Sequence, residues 1–354
     1  MDTVTQALLG AAVGQAGFSH LLGRRALVWG AIGGVIPDLD VLAVAIDGPF
    51  AEFKYHRGIT HSLWFGPVLG PLLGWLTWRW QRWRRRSNPG PLSAWVGLLT
   101  LALFTHPLID VFTVYGTQLF APFSQKRIAW NALGIIDPVY TGILVAGLAA
   151  GFLLRGRMER VRATGFTALA ISWSYMLYGV WLNEQAEADV RSALAAEGHT
   201  EAVVHTYPTI FQPYLRRVVA RTEDEVHVGL YTPFRPGEPV LESFPAAGHP
   251  LIDALGRTPE GVLFTWFAME EVGGRVTPRD GVFIVELDDL RYGMPGRPAE
   301  GFWGIRGVFD ARGQLLQPVR RFQRSQGDGQ VGFSDLWDAM WGDFAALGLR
   351  ASAR

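Results

Sequence analysis

The chain has no cysteine among its 354 residues, and only 18% of the residues are charged. The absence of cysteine excludes disulfide bonds, thiolate metal sites and cysteine nucleophiles. Hydrophobic residues make up 49% of the sequence, and the mean hydropathy of +0.15 is high for a soluble protein. The length is sufficient for two domains, each with a substantial core.

The formal net charge of zero is an average over two unlike halves. Residues 1–182 contain 15 basic and 8 acidic residues, a balance of +7, whereas residues 183–354 contain 17 and 24, a balance of −7. This break predicts two domains, a membrane domain over residues 1–182 and a soluble domain over residues 183–354.

The first half contains six apolar stretches, most of which have the roughly 17–25 residues needed to cross about 30 Å of hydrocarbon. They cover residues 4–18, 26–46, 59–80, 91–112, 134–154 and 164–182. Because the first stretch is short, we predict a polytopic α-helical membrane domain of five or six spans. Gly66, Gly70 and Gly74 recur every four residues, which is typical of closely approaching helices.

The distribution of arginine and lysine predicts the orientation of these spans. Alternate loops carry 11 and 4 basic residues, and the richer set is Arg24, Arg25, Arg79, Arg82, Arg84, Arg85, Arg86, Arg155, Arg157, Arg160 and Arg162. The positive-inside rule assigns that set to the cytoplasm, so with six spans the C-terminal domain is extracytoplasmic. We interpret residues 79–86 as an anchor on anionic lipid rather than a nucleic-acid site.

The second half is predicted to be mainly β, with an α+β character. Short segments rich in β-branched and aromatic residues, bounded by glycine or proline, occur at residues 202–204, 215–220, 226–231, 262–267, 281–286 and 302–309. Residues 184–197 have helical composition. Ser334 is predicted to cap a C-terminal helix whose apolar stripe includes Trp337, Met340, Trp341, Phe344 and Leu347.

The most informative residues are ionisable side chains within or beside the predicted spans. They are Asp38, Asp40, His56, His61, His106, Asp110 and Asp137. An aspartate near the middle of a span costs roughly 2.5–3.5 kcal/mol on insertion scales, so several of them require compensation. All lie toward the outer side in the orientation given by the arginines. A divalent metal would compensate them, because carboxylates and neutral imidazoles are its usual ligands.

Two of these residues also have simple structural explanations. Asp137 precedes Pro138, as expected at the start of a helix, and this competes evenly with a ligand role. His56 lies beside Lys54 and Arg57 and is explained equally simply as a loop residue. His61, His106, Asp110 and Asp38 have no comparable explanation, and we expect most of them to meet at one metal.

The motifs around these residues resemble the YdjM-like family of inner-membrane proteins, which are described as metal-dependent hydrolases. The resemblance is carried by MDTVTQALLGAAVG at residues 1–14, PDLD at 37–40, HRGITHS at 56–62, THPLID at 105–110 and IDPVYT at 136–141. It implies a polytopic membrane hydrolase whose polar centre is built from Asp38, Asp40, His56, His61, His106 and Asp110, with Asp137 nearby. It also implies one or two divalent metals, with zinc favoured and manganese or magnesium left open.

The leading hypothesis is hydrolysis by metal-activated water at the outer face of the membrane, on a phosphoester or ester of a lipid or lipid-linked substrate. Asp38 joins His61, His106 and Asp110 as a ligand. Asp40 acts as general base or orients an imidazole, and His56 and Arg57 stabilise charge on an oxygen. Two alternatives remain, a transporter or proton relay using the same residues, and a binding or scaffold protein with a structural metal.

Overall fold

The computed structural model describes residues 1–84, 88–246, 248–294, 297–324 and 331–349. Contacts divide the chain into two compact units. The N-terminal unit comprises Met1–Ile46, Tyr55–Val180 and Ile210–Gln212. The C-terminal unit comprises Asp47–Lys54, Trp181–Thr209 and Pro213–Arg354. Arg85 and Arg86, part of the predicted lipid anchor, lie outside the described residues.

The chain up to residue 196 is mainly helical apart from residues 111–137, and each of the six apolar stretches contains a helix. In chain order the α-helices are α1 (Thr3–Val13), α2 (Ser19–Leu22), α3 (Arg25–Val35), α4 (Val44–Asp47), α5 (Ala51–Tyr55), α6 (Phe65–Trp83), α7 (Leu92–Asp110), α8 (Pro138–Leu153) and α9 (Met158–Ala196). Short 3₁₀ turns cover Ile36–Ala43 and Ile59–His61, and a π-helical turn covers Gly14–Phe18.

Two of the described helical segments are long and apolar enough to cross a membrane, Arg25–Asp47 and Leu92–Asp110. A shorter apolar helix covers Pro138–Leu153. The structure therefore shows a helical N-terminal region with two candidate spans. The predicted number of five or six spans stays a prediction.

Glycine contacts bring the helices of the N-terminal unit close together. A Cβ atom added at Gly70 would lie 2.5 Å from Thr100 Cα, and one at Gly74 would lie 2.5 Å from Val96 Cα. The glycine repeat on α6 thus faces the backbone of α7, as its spacing predicts. On the other side, a Cβ atom at Gly34 of α3 would lie 2.3 Å from the carbonyl oxygen of Gln6 on α1. These contacts fix the helices that carry the candidate site.

The C-terminal unit contains two four-stranded antiparallel sheets and a two-stranded ribbon. The strands are β1 (Val203–Pro208), β2 (Arg216–Arg221), β3 (Glu225–Tyr231), β4 (Val240–Pro245), β5 (Val272–Arg279), β6 (Val282–Asp289), β7 (Gly293–Met294), β8 (Arg297–Gly301), β9 (Trp303–Phe309) and β10 (Leu315–Gln323). The sheet orders are β1-β2-β3-β4, β10-β9-β6-β5 and β7-β8. The helices are α10 (Pro250–Gly256), α11 (Pro259–Phe267) and α12 (Phe333–Met340).

The end of α9 belongs to the C-terminal unit and packs on the first sheet. Ala186, Val190 and Leu194 share a buried core with Val204 and Val218. The helical segment predicted at residues 184–197 is therefore confirmed, as a direct continuation of the preceding helix. This apolar stripe explains why the helix continues far beyond the last apolar stretch.

A short segment from the first half of the sequence is also part of the C-terminal unit. In the segment Asp47–Lys54, the ring of Phe53 stacks on Phe267 with centroids 4.4 Å apart. The guanidinium of Arg321 lies 4.1 Å from the centre of the same ring and also bonds Glu52 at 2.9 Å. Phe53 is fully buried as a result.

The predicted strands of the C-terminal domain were wrong in two respects. Residues 262–267 were predicted as a strand but belong to α11, whose first turn is set by Pro259 and by a hydrogen bond from the Gly261 N–H to Thr258 Oγ1. This cap and proline outweigh the β-branched and aromatic composition of the segment. Missing from the prediction were β4, β5, β7, β8 and β10.

The C-terminal helix also begins differently from its prediction. Gly332 precedes α12 and donates its N–H to Asp335 at 2.7 Å, so Ser334 lies inside the helix rather than at its cap. The predicted stripe is divided at the helix end. Its members Met340, Phe344 and Leu347 are buried in one core, whereas Trp337 and Trp341 are half exposed.

Candidate metal centre

Four ligand-type atoms converge in the N-terminal unit, two nitrogens and two carboxylate oxygens. The Nε2 atoms of His61 and His106 are 2.9 Å apart. Asp38 Oδ1 lies 3.4 Å from each of these nitrogens. Asp110 Oδ2 lies 3.4 Å from the His61 nitrogen and 3.5 Å from the His106 nitrogen. The structure therefore brings together the four residues that the sequence analysis expects at one metal.

These separations match the edges of a tetrahedral zinc site. Ligand atoms about 2.0–2.1 Å from a zinc ion at tetrahedral angles lie about 3.3–3.4 Å from one another. Four of the separations fall within 0.2 Å of that value, and the fifth, between the two imidazoles at 2.9 Å, is shorter. Asp38, His61 and His106 form a group whose ligand atoms all lie within 4.8 Å of one another, and Asp110 Oδ2 lies beside both imidazoles.

Local structure explains why residues so far apart in sequence meet here. Asp38 lies in the 3₁₀ turn that follows α3, which begins at Ile36 and has Pro37 in its first turn. His106 and Asp110 are four residues apart on α7 and so share one face of that helix. His61 ends the 3₁₀ turn that precedes α6. The centre is thus assembled from two turns and the end of one buried helix.

The outer nitrogens of both imidazoles are held by hydrogen-bond acceptors. His106 Nδ1 lies 2.6 Å from the carbonyl oxygen of Gly34, which can only accept, so Nδ1 carries the proton. His61 Nδ1 lies 3.0 Å from Thr60 Oγ1 and 3.1 Å from Asp40 Oδ2. Because the Thr60 hydroxyl donates its hydrogen to Asp40, both neighbours act as acceptors and favour the same tautomer. When both rings are neutral, each Nε2 atom therefore carries a lone pair, and the two Nε2 atoms face each other. Metal-bound histidines show this arrangement of a backbone carbonyl or carboxylate behind the ring.

Asp110 is fully buried, and its two oxygens have different surroundings. Oδ1 accepts hydrogen bonds from the Met1 amino group and from Gln6 Nε2 at 3.1 Å, and Arg57 lies 3.3 Å away. Oδ2 accepts no hydrogen bond from any described residue. A buried carboxylate oxygen without a partner is costly, and a cation between Oδ2 and the two imidazoles would satisfy it. These residues therefore fit a divalent metal.

Asp40 is the centre of a separate hydrogen-bond network behind His61. Its Oδ1 accepts from His56 Nδ1 at 2.7 Å, and its Oδ2 accepts from Thr60 Oγ1 at 2.7 Å and from the Arg57 backbone N–H at 3.1 Å. Together with His61 Nδ1, four donors converge on the two oxygens. These contacts correspond to the orienting role considered for Asp40, since little capacity is left to accept a proton from water.

Arg57 holds the turn between the two networks. Its φ of 60° is in the left-handed region, and its guanidinium donates to Thr113 Oγ1 at 2.7 Å while lying 4.8 Å from the centre of the Tyr115 ring. The side chain is fully buried and its charge faces Asp110. It therefore compensates the charge of Asp110, a different position from the expected contact with a substrate oxygen.

His56 is the most accessible imidazole of the group, with 16% of its side chain exposed. Burial lowers the pKa of His56 below its ordinary value, although the adjacent Asp40 acts in the opposite direction. With Nδ1 donating to Asp40, the other ring nitrogen is left as an acceptor. Asp40, His56 and His61 also form a second group with metal-ligand spacing.

Asp137 is not brought into this cluster. It precedes α8 and accepts from the Tyr140 N–H at 2.9 Å and from the Tyr175 hydroxyl at 3.0 Å. Both oxygens are therefore used to cap a helix and anchor a tyrosine. The structure supports the helix-start interpretation over the proposed ligand role.

Several supporting residues were not predicted from the sequence. Gly34 contributes only a backbone carbonyl, and Thr60, Thr113 and Gln6 contribute ordinary polar side chains. Thr60 and Gln6 carried a usable signal, because they lie within the HRGITHS motif and the motif at residues 1–14. The others depend on contacts between helices that are distant in sequence.

Comparison with known proteins places this centre in a family. A family model described as "YdjM inner membrane protein" matches residues 1–186, which include all the residues above. The chain belongs to the YdjM family. The resemblance noted in the motifs is thereby confirmed, and the family description indicates the inner membrane.

Two other proteins are similar to this chain over part of their length. The uncharacterized protein YfhP of Bacillus subtilis (strain 168) is 29% identical over 160 residues, 42% of this chain and 45% of YfhP. The inner membrane protein YbcI of Escherichia coli (strain K12) is 30% identical over 141 residues, 37% of this chain and 78% of YbcI. The chain thus spans less than half the length of YfhP. No solved structure matches the chain.

Proposed function

We propose that this protein is a metal-dependent hydrolase of the inner membrane, with Asp38, His61, His106 and Asp110 as the metal ligands. One observation carries the proposal. The Nε2 atoms of His61 and His106 lie 2.9 Å apart, beside the unpartnered oxygen of Asp110. A cation resolves this arrangement, because it attracts both lone pairs and both carboxylates at once.

A divalent ion at these four ligands would need a fifth coordination position to bind water or a substrate oxygen, and there it would lower the pKa of the water from about 15.7 toward 7. Zinc suits the two imidazoles and two carboxylates best, and manganese or magnesium would suit the carboxylates. The protein supplies orientation through Gly34 and Asp40, which fix the ring positions of His106 and His61. Arg57 lowers the electrostatic cost of holding two carboxylates together in a buried site.

His56 is suited to move a proton in this scheme. Asp40 accepts the hydrogen bond from its Nδ1 and would stabilise the imidazolium that forms when Nε2 takes a proton. The partial exposure of His56 leaves this nitrogen within reach of water or substrate. We therefore assign proton acceptance to His56 and ring orientation to Asp40.

The location of the site supports a substrate associated with the membrane. His106 and Asp110 end a candidate span, and Asp38 and Asp40 lie in the other one. A lipid or lipid-linked phosphoester or ester reaches such a site without leaving the bilayer. For the same reason we propose a multi-pass topology with the site and the C-terminal unit on the outer side of the membrane, following the arginine distribution.

The test combines metal analysis with turnover on purified full-length protein. Metal content is measured by mass spectrometry for wild type, His106→Ala and Asp110→Ala, and each is assayed on phosphomonoester, phosphodiester and carboxylester substrates. The exposed residues His20 and Asp47 provide the matched controls His20→Ala and Asp47→Ala. We expect the two site variants to lose about one metal per chain and all turnover, with both controls unchanged.

Each other outcome identifies an alternative. Unchanged metal content in both site variants would exclude the ligand assignment, and proton-coupled flux in liposomes would then favour a relay using the same residues. Metal loss with unfolding, and no turnover of any substrate by wild type, would favour a structural metal in a binding protein.

The orientation can be tested with one added thiol, because the natural sequence has no cysteine. Glu223, an exposed residue of the C-terminal unit, is replaced by cysteine and treated in intact spheroplasts with a membrane-impermeant maleimide. Labelling before lysis is expected. Labelling only after lysis would place the C-terminal unit in the cytoplasm.

A further inference from the structure

A second cluster of metal-ligand type lies in the C-terminal unit. His199, Glu225 and His227 each offer one ligand atom, and these atoms all lie within 4.8 Å of one another. The two imidazole rings have centroids 4.7 Å apart and are tilted by 58°. Glu225 Oε2 lies 3.6 Å from His227 Nε2.

The fold brings these residues together in a simple way. Glu225 and His227 are two residues apart on β3, so their side chains share one face of the sheet. His199 follows the C-terminus of α9, where its N–H donates to the Leu194 carbonyl at 2.9 Å and Gly198 adopts a φ of +101°. This left-handed glycine turns the chain back over the sheet on which α9 packs.

The most informative atom is Nε2 of His227. The residue is only 3% exposed, and within the described parts of the chain its Nε2 makes no hydrogen bond. Its other nitrogen is 2.8 Å from Ser243 Oγ on the neighbouring strand β4. A buried imidazole nitrogen without a partner is destabilising by roughly 1–3 kcal/mol unless something binds it. Here it points toward a carboxylate and a second imidazole.

We propose that His199, Glu225 and His227 form a second divalent-metal site, independent of the proposed catalytic centre. Two imidazoles and one carboxylate suit zinc, and also cobalt, nickel or copper, better than calcium or magnesium. Three protein ligands leave a fourth position for water or for an external ligand. The Glu225 side chain is 42% exposed, so this position is open to solvent.

The site is tested by zinc titration of the full-length protein in detergent, after chelator treatment, against a chromophoric competitor. His199→Gln and Glu225→Gln are compared with His205→Gln, a control on β1 whose side chain is 46% exposed. Each is measured in the wild-type background and in the His106→Ala background, so that the two proposed sites are counted separately. Circular dichroism checks that the β-sheets are retained.

We expect the two site variants to bind about one zinc fewer per chain, with at least a tenfold loss of affinity, in both backgrounds. His205→Gln should bind like its parent. Glu225→His places a nitrogen ligand at the exposed position. This variant should therefore bind the zinc ion that Glu225→Gln fails to bind. Equal zinc binding by all folded variants would overturn the proposal, as would failure of Glu225→His to restore it. Neither result depends on whether His106 holds a metal.

Discussion

The imidazoles of His61 and His106 meet through their Nε2 atoms at 2.9 Å while their Nδ1 atoms face Asp40 and the Gly34 carbonyl. Neither outer contact supplies a proton, so both rings present lone pairs to the same point. This geometry is poor for two isolated histidines and favourable for two ligands of one ion. Substitutions of the surrounding residues test what each of them contributes.

Asp40→Asn tests the orienting role of the carboxylate behind His61. We expect metal affinity to fall about 10–100-fold while saturating metal still gives the wild-type stoichiometry, because the four ligands remain. The measurement is a competition titration on full-length protein, with the exposed variant Asp47→Asn as control. A complete loss of one equivalent would instead make Asp40 a ligand.

Gly34→Ala tests the contact that positions the carbonyl behind His106. The added Cβ would lie 2.3 Å from the Gln6 carbonyl oxygen, so α1 and α3 must separate. We expect a destabilisation of about 1–3 kcal/mol, as for other overpacked sites, together with weaker metal binding. Gly17→Ala is the control, because a Cβ there meets nothing within 4 Å. Equal thermal stability and metal affinity in the two variants would contradict this account.

Asp137→Ala separates a helix cap from a metal ligand. Loss of the hydrogen bonds to Tyr140 and Tyr175 should lower stability by about 1 kcal/mol without changing metal content. Asp137→Asn keeps an acceptor oxygen and should recover most of that loss. Thermal unfolding and metal analysis of the two variants give the answer, and a metal deficit in both would restore the ligand role.

Asp288 provides a pH-dependent prediction in the C-terminal unit. Burial raises its pKa from 3.8 to about 6, although Arg324 bonds it and acts in the opposite direction. The folded state therefore holds a proton that the unfolded state has released, and stability falls as pH rises from about 4 to about 6. The stability of wild type relative to Asp288→Asn should decline by at most about 3 kcal/mol over this range. A flat difference in chemical denaturation curves would refute the shift.

The sequence was sufficient to identify the helical first half and the metal-type residues within it. Charged and imidazole side chains in apolar stretches are costly, and that cost made Asp38, His61, His106 and Asp110 conspicuous. Asp137 had the same signal for another reason, since a buried N-cap also requires a carboxylate. Sequence spacing does not distinguish the two cases. The backbone contact from Gly34 has no sequence signal of its own.

In the C-terminal unit the strands with continuous β-branched residues were recognised more readily than the exposed ones. The segment at β4 is largely polar on its outer side, and residues 262–267 are helical despite strand-like composition. The cluster of His199, Glu225 and His227 has no distinctive sequence signal, because its members are common surface residue types. Only the pairing of β3 with its neighbours and the turn after α9 bring them together.

The burial of Phe53 against Phe267 and Arg321 has a practical consequence for fragment studies. The C-terminal unit is discontinuous, since it includes Asp47–Lys54 from between Asp40 and His56. A gene truncated near codon 182 would encode a chain in which Phe53 has lost its aromatic and cationic neighbours. The complementary fragment would lack the aromatic ring that fills its own core. Neither half is a faithful substitute for the intact polypeptide, so complementation, crystallisation and assay work should begin with the uncut chain.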